Sequence, residues 1–416
     1  MVKLDRLKKR LRIAIVLERF LPSTGGQNYF SGLVRELAKK GHDVHVFATE
    51  IEETPGPYYT VHLIPAFRHP RSLRLISFVL NSARVIDHYD FDIIHEVMES
   101  LTMNVFNPHS GVEKAYLKQE FASINNQMYY LIRLVKRYLS LRHYLTLWIQ
   151  KKQFQMRRAK KIIAISTMVK NDIIQYYNVP EEKIEVVFNC VDTKRFHPSN
   201  REIYRKSVRT LLKFDDNVVI LLFAGHNYRL KGLESLLGAL SALKARVPHG
   251  SVHLLITGRG QIARYKRIAR KLAVLDHTTF LGPVKEIEQY YGASDIYVHP
   301  TFYDSCSLTV LEALASGIQV ITTRFNGAAD VIISDEGGKV LDDPKDVRRL
   351  AEAIAIFLDT ERREKARVIT RQWVEKYTPE YNAEKTLDVY YKVLEETDRN
   401  VLGKGEGKGF LGESGF

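Results

Sequence analysis

Short apolar runs alternate with helical patterns along nearly the whole chain. Residues 12–17 form the first run, and apolar positions in 27–40 recur every three or four residues, which predicts a strand followed by an amphipathic helix. Gly41 ends that helix, and a second strand is predicted at 43–49. Further strands are predicted at 92–95, 161–166, 184–189, 218–224, 252–257, 296–299 and 319–322. Because helical segments separate most of them, we expect an α/β protein with parallel sheets covered by helices on both faces.

The length of the chain and one break in this alternation predict two domains. At 416 residues the chain is longer than the chains that usually fold around a single hydrophobic core. The alternation stops between about 191 and 217, where Pro198 and a charged, turn-rich segment intervene, so we place the junction there. The expected units are a first domain at 1–190, a second at 191–375, a helix at 376–400 that returns to the first domain, and a Gly-rich disordered tail at 401–416.

The composition is that of a globular protein with an excess of positive charge. No stretch approaches 18 uncharged apolar residues, and the run at 12–17 is followed at once by Glu18 and Arg19, so we expect neither a membrane span nor a signal peptide. Two cysteines far apart, Cys190 and Cys306, form no disulfide framework, which predicts a reducing, cytoplasmic setting. The net charge of +14 indicates an anionic partner: nucleic acid, anionic lipid or a phosphate-bearing substrate.

Two predicted strand-to-helix junctions contain residues suited to binding phosphate. At the first, Gly25 and Gly26 would let backbone N–H groups approach an anion at the positive end of a helix, or would only form a tight turn. The segment does not fit GxGxxG, which disfavours a dinucleotide-dependent oxidoreductase. At the second, Arg229 and Lys231 precede a predicted helix, where two cations would clamp a diphosphate; the alternative is that they are solvated loop cations.

A third junction follows the strand at 296–299, where a helix is expected to begin near Ser307. In this helix Leu308, Leu311 and Ala315 would face the core. Glu312 lies one turn from Leu308, on or beside that apolar stripe, where a carboxylate needs a partner. Ribose, with two vicinal hydroxyl donors, would supply one, and a structural cap or ion pair is the alternative.

With these segments in hand, the chain resembles family 4 of the glycosyltransferases, which are retaining enzymes of the GT-B fold with two Rossmann-like domains. The resemblance covers nearly the whole chain and is strongest in the second domain. The segments that carry it are Gly25-Gly26, Ile165-Ser166, Asn189-Cys190-Val191-Asp192, the Arg229 to Gly232 loop, Ala293-Ser294-Asp295 and the helix motif through Ser316-Gly317. The segment 108–113 makes it look most like the lipopolysaccharide core glucosyltransferases.

The resemblance also implies roles for individual residues. Asp304 would hold hydroxyls of the donor sugar, Glu312 would hold the ribose, and His109 would lie near the reacting sugar. Ser307 and Leu308 would complete the donor site at the start of the helix. The family carries Glu-x7-Glu, whereas Asp304 takes the first position here, so the donor sugar is expected to sit differently or to differ.

We expect neither a cofactor nor a metal, because the nucleotide sugar is a substrate and cations face its diphosphate. In this prediction Arg229 and Lys231, with the Gly25-Gly26 backbone from the other domain, accept the charge of the departing diphosphate. The sequence Asp90-Phe91-Asp92 looks like a metal-binding Asp-x-Asp, but it opens a predicted strand, and we interpret it as a coincidence.

The segment 131–152 predicts a basic amphipathic helix. Its apolar face consists of Leu131, Leu134, Val135, Tyr138, Leu141, Leu145 and Trp148. Arg133, Lys136, Arg137 and Ser140 lie on another face. Such helices bind anionic membrane surfaces, which predicts peripheral attachment to the inner face of the membrane; the alternative is a domain helix with a solvated charged face.

The predicted function is retaining transfer of a hexose or heptose from a nucleotide-diphosphate sugar to a lipopolysaccharide-core or other cell-envelope glycan, free or lipid-linked. UDP-glucose is the default donor by resemblance, and UDP-galactose, GDP-mannose and ADP-heptose stay open. The alternatives are another GT-B-like enzyme, such as a sugar-nucleotide epimerase or a phosphorylase, and a nucleic-acid-binding protein. No zinc spacing, RNP pattern or isolated basic recognition helix favours nucleic acid.

Overall fold

A computed structural model describes residues 9–21, 25–52, 58–97 and 99–405. The first part of the chain forms a seven-stranded sheet in the order β5-β3-β1-β6-β7-β8-β9, and its ladders are parallel. Its strands are β1 (Arg12–Val16), β3 (Asp43–Ala48), β5 (Thr60–Leu63), β6 (Ile93–Glu96), β7 (Val105–Phe106), β8 (Lys161–Ala164) and β9 (Ile184–Val186). A separate short ladder joins β2 (Arg19–Phe20) to β4 (Glu50–Ile51).

The second part forms a six-stranded parallel sheet in the order β12-β11-β10-β13-β14-β15. Its strands are β10 (Val219–Ala224), β11 (Val252–Thr257), β12 (Thr278–Gly282), β13 (Ile296–His299), β14 (Gln319–Thr323) and β15 (Gly338–Leu341). Numbered within this sheet the order is 3-2-1-4-5-6, the Rossmann order. The central strands β10 and β13 are buried along their whole length, because helices cover both faces.

Fourteen α-helices are found in the described part of the chain. They are α1 (Gly25–Lys39), α2 (Arg71–Ile86), α3 (Glu113–Ala122), α4 (Gln127–Tyr138), α5 (Leu141–Gln155), α6 (Thr167–Tyr177), α7 (Asn200–Leu211), α8 (Leu233–Lys244), α9 (Ile262–Lys271), α10 (Ile287–Ala293), α11 (Leu308–Ala315), α12 (Val347–Ile356), α13 (Thr360–Val374) and α14 (Pro379–Gly405). None of these helices is both long and apolar enough to cross a bilayer.

The predicted α/β architecture is confirmed, with local corrections. All nine predicted strands are present, and those at 252–257 and 296–299 have the predicted bounds. The alternation of apolar and helical segments did not predict β5, β7, β12 and β15. These strands have two to five residues, and all except β7 contain half-exposed positions. Such short strands carry too few positions for a pattern to be distinctive.

Three predicted segments differ from the structure. The segment between 191 and 217 is not only turns, since α7 lies within it. The segment 131–152 is not one helix: α4 ends at Tyr138, and Ser140 caps α5 by accepting from the His143 amide. Helix α14 continues to Gly405, so 401–405 of the predicted disordered tail are helical, and 406–416 lie outside the described residues.

The last helix packs on the first sheet rather than the second. Tyr29 of α1 donates its hydroxyl to Asn382 at 3.0 Å, and the Tyr390 hydroxyl lies 2.6 Å from Nδ1 of His95 on β6. Leu387 and Val393 join the apolar core formed by β1, β3 and α1. The chain therefore crosses back after completing the second sheet.

Helix α7 packs on the second sheet, against α10. Asp295, almost fully buried, accepts from Arg209 at 2.6 Å and Arg205 at 2.9 Å, and from the backbone N–H of Ile220 at 2.9 Å. Because a buried carboxylate needs several partners, these contacts fix the helix to the amino end of β10.

Candidate functional site

A cavity of about 590 Å³ opens where the strand order of the second sheet reverses. Strands β10 and β13 are neighbours there, while β10 continues in sequence to β11 on its other side. Ligands of doubly wound sheets bind outside the carboxyl ends of the strands at such a point. This cavity is termed the second-sheet cavity. Its walls include Gly225, His226, Lys231, Thr257, Gly258, His299, Asp304, Ser307, Leu308 and Glu312. His109 and Ser110 join them from the part of the chain that forms the first sheet, which is termed the first half.

Lys231 enters this cavity from the loop between β10 and α8. Gly232 caps α8 with φ of 77°, and a Cβ there would lie 2.0 Å from the carbonyl oxygen of Pro300. Only glycine therefore lets the loop pass so close to the chain that leaves β13. The Lys231 ammonium is paired with the carboxylate of Asp304 and lies 3.4 Å from the carbonyl oxygen of Tyr303.

Asp304 faces Lys231 across the cavity wall. Burial opposes its ionisation, but the Lys231 charge and a 3.2 Å hydrogen bond with His299 outweigh that effect, so the pKa of Asp304 lies well below its usual value. Its carbonyl oxygen accepts from the Gly327 amide at 2.8 Å, and its own amide donates to Phe325 at 2.9 Å. Asp304 is thus a fixed anion whose Oδ2 already holds Lys231 and His299.

The first turn of α11 forms the floor of the cavity. Ser307 precedes the helix, and its amide donates to the side-chain oxygen of Asn326 at 3.2 Å. Leu308, expected to face the core, instead lines the cavity, whereas Leu311 and Ala315 are buried. The first amides of a helix lack partners within it and carry partial positive charge, so this floor suits an anion.

Glu312 lies one turn further along α11. The hydroxyl of Tyr291 donates to its Oε2 at 3.0 Å, and among the described residues its Oε1 has no hydrogen-bond partner. Burial raises the pKa of Glu312 to about 7, although Tyr291 and Arg195 act in the opposite direction. A ligand with hydroxyl donors would satisfy the second oxygen and favour the ionised form.

His109 lines the cavity from the part of the chain that forms the first sheet. Its ring packs against the rings of Tyr29 and Phe30 at centroid distances of 4.7 and 4.8 Å. Its backbone carbonyl accepts from the Ser305 hydroxyl at 2.9 Å, and its buried Nδ1 has no partner among the described residues. Burial lowers the pKa of His109 to about 4, so the imidazole is neutral near pH 7.

Arg229, expected beside Lys231 at a diphosphate, does not line the second-sheet cavity. Its guanidinium crosses to the first half and donates to the carbonyl oxygen of Glu120 at 2.8 Å and to the hydroxyl of Ser123. The Glu120 carboxylate lies 3.3 Å away. Because Tyr228 and Leu230 are buried on either side, the loop directs Arg229 away from Lys231.

The other predicted residues are placed as follows. Gly25 and Gly26 form the start of α1, the helix from which Tyr29 and Phe30 contact His109, and residues 22–24 lie outside the described part. Asp92 accepts from the Arg12 amide at 2.8 Å, as a strand-edge residue does. In the described ranges no group of three or more His, Cys, Asp or Glu side chains could hold a metal ion.

Several residues of the cavity wall were not predicted from the sequence. His226, whose Nδ1 accepts from the Arg259 amide at 3.1 Å, follows β10, and Thr257 and Gly258 end β11. Gly258 has φ of 108°, and a Cβ there would lie 2.0 Å from the Gly225 carbonyl oxygen. The signal was available, since each of these residues lies at the end of a predicted strand of the second sheet or within two residues after it.

Comparison with known proteins agrees with this architecture. Residues 218–360 match glycosyl transferases group 1, and residues 23–195 match glycosyltransferase family 4. The lipopolysaccharide glucosyltransferase WaaG of Escherichia coli (strain K12) is 22% identical over 346 residues, covering 82% of this chain and 88% of that protein. The MMP alpha-(1->4)-mannosyltransferase of Mycolicibacterium hassiacum is 24% identical over 428 residues, covering 92% and 98%.

Solved structures show the same fold. The crystal structure of WaaG has a TM-score of 0.75 at 20% identity and covers 91% of this chain and 99% of that one. Anabaena Alr3699/HepE in complex with UDP and glucose has a TM-score of 0.66 at 14% identity, with 91% and 100% covered. The GT-B fold predicted from the sequence is confirmed.

Proposed function

Since the chain belongs to family 4 of the glycosyltransferases, we propose that it transfers a hexose or heptose, with retention of configuration, from a nucleotide-diphosphate sugar to a glycan. The observation that carries the proposal is the convergence on one cavity of Lys231, the first turn of α11 and Glu312, facing His109 of the first half. A cation and the partial positive charge at the start of a helix suit a diphosphate, and a carboxylate suits vicinal hydroxyls.

In this proposal the diphosphate lies between Lys231 and the amino end of α11. Breaking the bond from the anomeric carbon to oxygen leaves the electron pair on the diphosphate, where charge accumulates. Fixed positive groups that already face this position need no reorganisation when the charge forms. Asp304, which is itself hydrogen-bonded to His299, holds the Lys231 ammonium, so Asp304 acts first as a positioning residue.

Glu312 would bind the two ribose hydroxyls through its free Oε1, with Tyr291 holding the other oxygen. His109, neutral near pH 7, would contact the transferred sugar by hydrogen bonding rather than by charge. With retention, the acceptor oxygen bonds to the anomeric carbon on the face that the diphosphate leaves, and its proton passes to a diphosphate oxygen. This scheme uses neither a divalent ion nor a cofactor.

UDP-glucose is the proposed donor. The support is the likeness to WaaG, a lipopolysaccharide glucosyltransferase, and to HepE, whose structure contains UDP and glucose. By the same likeness the acceptor is a lipopolysaccharide-core or other cell-envelope glycan.

We further propose that α4 and α5 attach the enzyme to the cytoplasmic face of an anionic membrane. None of the α4 residues is buried, and Leu131, Val135 and Tyr138 are exposed, as are Leu141 and Trp148 of α5. Arg133 and Arg137 turn towards Glu120 in the protein, so the apolar stripe faces outward. A contiguous apolar patch of this kind is typical of an interaction surface.

The decisive experiment combines donor binding with product analysis. A panel of UDP-, GDP- and ADP-sugars is screened by thermal shift, because a ligand that binds only the native state raises the melting temperature. We expect UDP-glucose to raise the melting temperature. Transfer should release UDP, and the new glycosidic linkage should be axial by NMR. Turnover that disappears with a chelator and returns with manganese would contradict the metal-free scheme.

A further inference from the structure

A second point of strand reversal lies in the first sheet and belongs to no part of the proposed donor site. Strand β1 pairs with β6, while the chain continues from β1 to β3 on its other side. At the carboxyl ends of β1 and β6 two cavities of about 430 and 300 Å³ open side by side. Together they are termed the first-sheet trough. Their volumes lie at the lower end of roughly 300–1,000 Å³, the range of small-ligand sites.

The first-sheet trough adjoins the second-sheet cavity. Ser110 lines both the second-sheet cavity and the 430 Å³ cavity, which places the near end of the trough beside His109. Glu99 and Arg142 line both the 430 and the 300 Å³ cavities. A chain of sugar units that begins at the reacting position would therefore have room to extend along the trough.

The near end of the trough is suited to hydroxyl groups. Glu113, Ser110 and Thr146, whose side chains carry carboxylate or hydroxyl oxygens, line it. The buried Nδ1 of His143 also lies in this wall and has no hydrogen-bond partner among the described residues. A buried ring nitrogen without a partner indicates that a polar ligand or water completes it.

The far end carries an excess of positive charge. Arg19, Arg71, Arg74 and Arg142 line the 300 Å³ cavity, against the two carboxylates Glu18 and Glu99. Arg74 is compensated, since it lies 2.7 Å from Glu18 and 3.1 Å from Glu50.

Arg71 and Arg142 differ from Arg74. Both are exposed, and within the described ranges neither has a carboxylate within 4.0 Å. Glu99 compensates them poorly, because burial raises its pKa to about 7 and much of it is uncharged at neutral pH. Two guanidinium groups at one end of a cavity are a suitable seat for a phosphate or carboxylate group.

We propose that the acceptor is an anionic oligosaccharide, whose reacting hydroxyl lies at Ser110 beside the second-sheet cavity and whose phosphate or carboxylate group binds Arg71 and Arg142. The inference rests on the proposed function, because it takes the second-sheet cavity as the donor site. It adds the chemical class of the acceptor and the residues that select it.

The test is binding to an array of neutral, uronate-containing and phosphorylated glycans, with the enzyme saturated with UDP. The wild-type enzyme should retain anionic glycans at least tenfold more strongly than neutral counterparts. In the variant Arg71→Glu/Arg142→Glu the ratio of anionic to neutral glycan binding should fall at least tenfold. The control Arg348→Glu/Arg349→Glu, with the same change in net charge on exposed residues of α12, should keep it.

UDP-glucose affinity, measured in parallel by calorimetry, separates this inference from the proposed function. Equal UDP-glucose affinity in the wild-type enzyme and both variants is the condition for judging the acceptor inference. Under that condition the inference is wrong if the wild-type enzyme shows no preference for anionic glycans. It is also wrong if the two variants bind the glycans alike. If UDP-glucose and the other nucleotide sugars do not bind at all, the proposed function itself is wrong. Uronate and phosphorylated glycans on the same array distinguish the two sources of negative charge.

Discussion

Arg229 donates to the backbone carbonyl oxygen of Glu120 at 2.8 Å, although the two residues belong to different halves of the molecule. The Glu120 carboxylate also pairs with Arg133 and, at 2.8 Å, with Arg137, both on α4. One buried carboxylate therefore joins the loop that carries Lys231 to the helix with the exposed apolar stripe. The Glu120 carboxylate and carbonyl oxygen, together with the buried neighbours Tyr228 and Leu230, keep Arg229 directed away from the second-sheet cavity.

Arg229→Gln should change turnover far less than Lys231→Ala. Arg229 makes its contacts with the first half, so its loss removes no cation from the proposed diphosphate position. We expect kcat with UDP-glucose to fall by less than about tenfold, since no transition-state contact is lost. A fall equal to that of Lys231→Ala would show that Arg229 reaches the diphosphate during turnover, as the sequence had indicated.

Lys231→Ala should lower kcat by roughly a hundredfold to a thousandfold, as loss of one preorganised charge contact typically does. It also leaves Asp304 without its main partner, so unfolding must be monitored by circular dichroism. The control is Lys231→Ala/Asp304→Asn, which removes the uncompensated carboxylate and should recover stability but not activity. Recovery of activity in the double variant would assign Lys231 a purely structural role.

Glu312→Gln should alter the pH dependence of stability in a defined window. Burial raises the pKa of Glu312 from 4.5 to about 7, so between these values the folded protein holds a proton that the unfolded chain releases. The contribution of Glu312 to stability is therefore greatest below pH 4.5 and declines as pH rises to 7. Urea unfolding at pH 5 and pH 8 should show the variant gaining stability relative to wild type at the higher pH.

The same residue should make donor binding depend on pH. Ribose hydroxyls donate to the ionised carboxylate, so UDP-glucose should bind more tightly as pH rises from 6 to 8. Glu312→Gln should bind more weakly and lose this dependence, as measured by calorimetry at three pH values. An unchanged pH profile in the variant would exclude Glu312 from the ribose position.

Val135→Glu should abolish binding to vesicles that contain anionic lipid. Val135 is 55% exposed on the apolar stripe of α4, and a charge there opposes burial in the interface. Val368→Glu is the matched control, because Val368 is 62% exposed on α13. Flotation at low and high salt measures the effect, and equal retention of both variants would contradict the attachment proposal.

Glu120→Gln should destabilise the contact between the two halves. Three guanidinium groups would lose their shared carboxylate, and removing one partner of a buried ion pair typically costs about 3–5 kcal/mol. We expect a lower melting temperature and faster proteolysis near 126, between α3 and α4. A melting temperature equal to that of wild type would mean that the arginines find other partners.

Much of the fold could be predicted from the sequence because it depends on local patterns. The strands 252–257 and 296–299 stand out as apolar runs bounded by turn residues, and Ser307 marks a helix start. The positions of Lys231 and Glu312 follow from the same logic, since residues after parallel strands meet at one edge of the sheet. The short strand β7 and the exposed strand β5 lacked such a pattern.

The sequence by itself determined the alternation of strands and helices, and with it the two parallel sheets and the loops that bear polar groups. Only the tertiary structure decided which partners the charged ends of long side chains contact. Arg229 and Lys231 are two residues apart, yet one pairs with Glu120 and the other with Asp304. The outward turn of the α4 apolar stripe depends in the same way on Glu120, which lies on α3. Hydrophobic periodicity is a local property, whereas the choice of partner for a charge depends on which distant carboxylate the fold brings within reach.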